Sequence, residues 1–94
     1  MNSTDMMKQK IINDYMSLID LNNINNIDYK KIEQELSLAL NEKPAVKLIY
    51  EDDTLLNEDG KPDKKISKLK TIEIYYTYND NTGLKFAKKS FIIA

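Results

Sequence analysis

The hydrophobic period changes once along this chain, and the change falls at Pro44. Before it, apolar residues recur every three or four positions. After it, they alternate. The first spacing gathers side chains on one stripe of a helix, and the second gathers them on one face of a strand. Proline bars continuation of the helix. The chain therefore reads as helices first and strands second.

In the helical part, Met7, Ile11, Ile12, Tyr15, Leu18 and Ile19 form a wide apolar stripe that predicts a helix over about 5–21. Ser3 or Thr4 suits its cap, and Asp5 suits the positive end of its dipole. Asn22, Asn23, Asn25 and Asn26 compete for backbone hydrogen bonds and predict a short turn, with Ile24 and Ile27 as anchors. Asp28 is a good N-cap for a second helix over about 28–41, with Tyr29, Ile32, Leu36, Ala39 and Leu40 facing inward. Asn41 suits the left-handed position that ends it. A short connection predicts an antiparallel helical hairpin.

In the alternating part, Val46, Leu48 and Tyr50 predict a strand over about 45–51, which Leu55 and Leu56 extend toward a turn at Glu58–Lys61. Ile72, Ile74, Tyr76 and Tyr78 predict a second strand over about 66–78, and Asn79–Gly83 reads as a hairpin loop. The third strand, about 84–93, breaks its own alternation. Leu84 and Phe86 share one parity, whereas Phe91 and Ile93 share the other. A bulge near Lys88–Lys89 is expected to turn all four inward, with Phe86 opposite Tyr76 and Phe91 opposite Ile72. The expected fold is α+β, in the order ααβββ. An N-terminal antiparallel helical hairpin packs on one face of a three-stranded antiparallel β-meander, in a single domain spanning 1–94.

Composition removes whole classes of chemistry. At 94 residues the chain can bury a core without metal or disulfide. It has no Cys, hence no thiol nucleophile, and no His, the usual neutral-pH acid–base group. All 14 basic residues are Lys, so bidentate guanidinium recognition of phosphate or guanine is absent. No cofactor is expected. Asp5, Asp14 and Asp20 interrupt the first 20 residues, unlike a signal peptide, and no run approaches a membrane span. The expected location is cytoplasmic. The abundance of Lys, Ile, Asn and Tyr matches AT-rich coding and says little about the task.

Charge is segregated. Residues 1–60 carry 6 Lys against 12 carboxylates, and residues 61–94 carry 8 against 3. Such a bipolar chain steers charged partners. Three groups of residues follow from it. Asp52, Asp53, Glu58 and Asp59 form an acidic segment able to mimic nucleic-acid phosphates on a basic target. It fails as a calcium loop, since Leu55 and Ile66 occupy the first and closing ligand positions around Gly60. Lys64, Lys65, Lys68, Lys70, Lys85, Lys88 and Lys89 form a basic group that suits a nucleic-acid backbone. Glu73, Tyr75 and Thr77 occupy the outward parity of the central strand, beside Ile49, Lys47 and Lys85, as a protein-binding face with Tyr75 as its only ring. Three strands also leave two edges for strand addition. Catalysis is not expected. The pairs Ser67–Lys68 and Lys89–Ser90 point to opposite faces of an extended strand, and Gly60 and Gly83 are too few for a phosphate loop.

No residue motif of a known family stands out. In size, lack of catalytic residues and coding bias, the chain is similar in a general way to the small proteins of phages and mobile elements. That similarity implies binding and blocking of a host protein, defence nucleases included. The expected function is a non-enzymatic protein-binding module, an inhibitor of a basic nucleic-acid-binding host factor. The alternatives are a small nucleic-acid-binding regulator and a homo-oligomer such as a homodimer.

Overall fold

The computed structural model describes residues 3–19, 27–51, 59–60 and 68–93. Helix α1 (Ser3–Ser17) and helix α2 (Tyr29–Leu40) precede strands β1 (Ala45–Tyr50), β2 (Leu69–Asp80) and β3 (Gly83–Ile92). The strands form one antiparallel sheet in the order β1-β2-β3. This is the expected α+β arrangement.

Local chemistry explains the boundaries. Asp28 is extended, and its carboxylate accepts from the Lys30 N–H at 2.9 Å, which satisfies a donor that α2 leaves orphaned. Asn41 ends α2 in the left-handed conformation with φ 56°. Helix α1 begins at Ser3, so Ser3 and Thr4 lie inside it and Asp5 stands in its first turn. It stops at Ser17, short of the predicted 21, where the Ser17 hydroxyl donates to the Asp14 carbonyl. Lys8 meets Glu42, and Tyr15 meets Glu35, so contacts run in opposite directions along the two helical segments. The helices are therefore antiparallel. Burial, reinforced by the hydrogen bond to Glu35, pushes the Tyr15 phenol up to about 12.

The core lies between these helices and one face of the sheet. Ile12 and Met16 of α1, Ile32, Leu36 and Leu40 of α2, and Val46, Leu69, Ile72, Ile74 and Tyr76 of the strands are buried, together with Ile27. The Tyr76 hydroxyl donates to Asp5 at 2.6 Å, which ties the central strand to the start of α1. Burial, then this hydrogen bond, raises the Tyr76 pKa well above the ordinary value.

Four expectations about packing need correction. Met7 and Leu18 are exposed, and Met16 takes the buried place instead, because the stripe of α1 is narrower than its apolar content. Ala39 is exposed as well. The bulge is not in β3. It lies between β1 and β2, where Ile49 opposes Thr71 and Tyr50 opposes Leu69, so that Lys70 is the extra residue. Parity flips there, and both Leu69 and Ile72 point inward. The β2–β3 register runs unbroken from the two-residue turn Asn81–Thr82. Phe91 therefore faces Ile72 as expected, but Tyr76 faces Ala87, and Phe86 faces Thr77 on the outer side. Leu55 and Leu56 lie outside the described residues.

Candidate functional site

The helices cover β1, β2 and the far end of β3, and nothing among the described residues covers the other face of the sheet. That outer face is built by strand alternation. It takes Lys47 and Ile49 from β1, Thr71, Glu73, Tyr75 and Thr77 from β2, and Leu84, Phe86, Lys88, Ser90 and Ile92 from β3. Phe86 is 81% exposed, Ile92 82% and Leu84 56%. Tyr75 is partly covered. The unbroken register puts three large apolar side chains in water, where a bulge would have tucked Leu84 and Phe86 under the helices.

Between the apolar groups lies a polar cluster. The Tyr75 hydroxyl donates to Glu73 at 2.9 Å, and the Lys88 ammonium stands 3.1 Å from the other carboxylate oxygen. Those two hydrogen bonds, the Tyr75 one foremost, hold the Glu73 carboxyl below the usual range, and Glu73 in turn raises Lys88. The charges are mutually neutralised. What the face offers a visitor is the ring of Tyr75 and the side chains of Phe86, Leu84 and Ile92.

At the start of β1 the arrangement is closed. The Val46 N–H donates to Glu33 at 2.8 Å. Strand β1 begins too late in the chain to pair with Thr77, and side chains take its place. The Thr77 N–H and hydroxyl donate to the Glu42 carboxylate, the Lys8 ammonium donates to the Thr77 carbonyl at 2.8 Å, and Lys8 and Glu42 pair at 2.6 Å. Burial alone pushes the Glu42 carboxyl up, but hydrogen bonds from Lys8 and Thr77 outweigh it and leave the group below its ordinary value.

The predicted site residues fare unequally. Glu73 and Tyr75 share the outer face, but Glu73 is buried there, and Tyr75 is the exposed member of the pair. Thr77 is directed to that parity, yet its hydroxyl is spent on Glu42. Lys85, expected on the outer face, lies on the helix-facing side opposite Tyr78, and Lys89 shares that side opposite Ile74. Lys68 and Lys70 are exposed at the start of β2. The basic group is thus divided between two faces. Asp59 sits in an exposed turn beside Gly60, whose φ of 74° is the left-handed region that glycine favours. Asp52, Asp53, Glu58, Lys64 and Lys65 lie outside the described residues.

Phe86 and Leu84 are the apolar residues of the outer face that sequence reasoning misplaced. The signal was present in Asp80-Asn81-Thr82-Gly83, a two-residue turn that fixes register from its first pair.

The Ser17 and Ser37 hydroxyls donate back to carbonyls of their own helices. A cleft of about 410 Å³ between α1 and the end of β3 is lined by Met16, Phe91 and Ile93 with Asn13 and two serines, and no lining residue carries a carboxyl, amine or phenol. Among the described residues no three carboxylates gather as a metal site, and no helix is long and apolar enough to cross a membrane. Comparison with protein-family models, curated proteins and solved structures gave no match.

Proposed function

We propose that this chain is a non-enzymatic protein-binding module that docks through the outer face of its sheet, centred on Phe86. One observation carries the reading. Phe86, Ile92 and Leu84 project from one strand on a face that no described element covers. Scattered exposed apolar residues are ordinary, but three on one side of one strand, beside a Tyr ring, have the make-up of an interface anchor. The neighbouring Glu73–Tyr75–Lys88 cluster supplies a polar element that fixes orientation. Occupying and thereby inhibiting a larger host protein is the mode of action this catalytically bare surface supports.

The divided lysines favour a protein over a nucleic acid as partner. Lys88 is already paired, and Lys85 and Lys89 face the other way. A phosphate backbone needs cations along one track.

The test compares host-lysate capture by the wild-type protein and by Phe86→Glu/Ile92→Glu. Both side chains are exposed, so circular dichroism should report unchanged folding. A protein retained by the wild type and lost by the variant supports the reading. Identical capture by both, or none by either, overturns it.

A further inference from the structure

The open edge of β3 narrows the partner further. Thr77 uses its N–H and carbonyl toward Glu42 and Lys8, on the side away from β3. Thr77 opposite Phe86 is therefore a non-hydrogen-bonded pair of the ladder. By alternation, the N–H and carbonyl groups of Leu84, Phe86, Lys88, Ser90 and Ile92 point outward, away from β2. No described side chain meets them. They form a template for one more strand.

The side chains along that edge specify what the strand must carry. On the outer face stand Leu84, Phe86 and Ile92; on the helix-facing side stand Lys85 and Lys89, with no carboxylate within ion-pair distance among the described residues. Residues directly opposite in adjacent strands share a face. Between 83 and 92 there are three lysines and no acid. A second copy of β3 would thus bring six lysines together with no acid between them, which disfavours self-pairing.

We infer that β3 accepts an extended segment of a partner protein as a fourth strand, one that alternates carboxylate and apolar side chains. The carboxylates meet Lys85 and Lys89, and the apolar groups lie beside Phe86 and Ile92. This deepens the protein-binding reading and rests on it.

The probe is a synthetic peptide alternating glutamate and valine, added to the whole chain and followed by amide hydrogen exchange. The peptide should slow exchange at the Phe86, Lys88 and Ser90 N–H groups by about tenfold or more, while Lys85, Ala87 and Lys89, already bonded to β2, stay unchanged. Lys85→Glu/Lys89→Glu should weaken binding about tenfold, as loss of two exposed ion pairs implies, and a lysine–valine peptide should recover it. Ser90→Pro removes an edge donor without removing a ladder bond and should also weaken binding. Failure of the peptide to bind, protection without that alternation, or light scattering that shows β3 pairing copies of the chain overturns the inference. If Phe86→Glu/Ile92→Glu still loses its captured protein while the peptide fails, the protein-binding reading stands and only strand addition falls.

Discussion

At the start of the β1 edge, Glu33 takes the Val46 N–H, and just beyond it Glu42 with Lys8 takes the backbone of Thr77 in β2. At the β3 edge, the outward N–H and carbonyl groups of Phe86, Lys88 and Ser90 meet no described side chain. The two edges carry the same kind of backbone and differ in what lies above them. Helix α2 packs over β1 and α1 over β2, so long charged side chains reach down to the first edge. Strand β3 lies beyond that reach for most of its length. An edge closed by ion-paired side chains is protected from adventitious pairing, while an open one is available for recognition.

The hardest test strikes the frame from which both edges hang. Ile74 is fully buried in β2, and Ile74→Asp should destabilise the protein by about 4 kcal/mol in urea unfolding, since it buries an unpaired charge. The neighbouring Tyr75→Asp, on the outer face, should lose no more than about 1 kcal/mol. Equal losses would show that the two faces are misassigned.

The closed edge comes next. Glu42→Ala leaves the Thr77 N–H without its acceptor and a half-buried Lys8 without its carboxylate partner, and about 2 kcal/mol of stability should go. A loss under half of that would mean water replaces the carboxylate freely. The same group makes stability depend on pH. Its folded-state pKa is depressed, so its contribution is complete above the ordinary glutamate pKa and disappears as pH falls through the lowered one. Denaturant midpoints followed downward from neutral pH should show this decline in the wild type, and a flatter one in Glu42→Gln. Matching slopes would remove Glu42 from the acid response.

Glu33→Ala removes one acceptor at a partly buried edge and should lower stability by about 1 kcal/mol. The smallest effect belongs to the open edge. Phe86→Ser should change stability by no more than about 0.5 kcal/mol, because its ring contributes little to the core. A larger loss would mean that the ring supports the fold and is not reserved for a partner.

Much of the architecture is legible in the sequence. Asp28 and Asn41 mark the ends of α2 by local hydrogen bonding and backbone preference, and the unbroken alternation of Ile72, Ile74, Tyr76 and Tyr78 assigns both faces of β2. Glu73 and Tyr75 followed from that alternation. Other features were not local. Lys8, Glu42 and Thr77 converge from distant parts of the chain, and no spacing announces them. The choice of Met16 over Met7 and Leu18 depends on where α1 ends and what it rests upon.

Strand β3 shows the division most clearly. With apolar residues at both parities, its residues 84–93 are compatible with either a bulge or a straight register. The period of the sequence by itself established helices, strands and their order, because those follow from which side chains share a face over a few residues. Whether Phe86 met a core or water was decided by tertiary structure. The tight turn sets the pairing with β2, the helices roof only the face that Tyr76 shares, and a hydrophobic side chain on the other face has no core to enter.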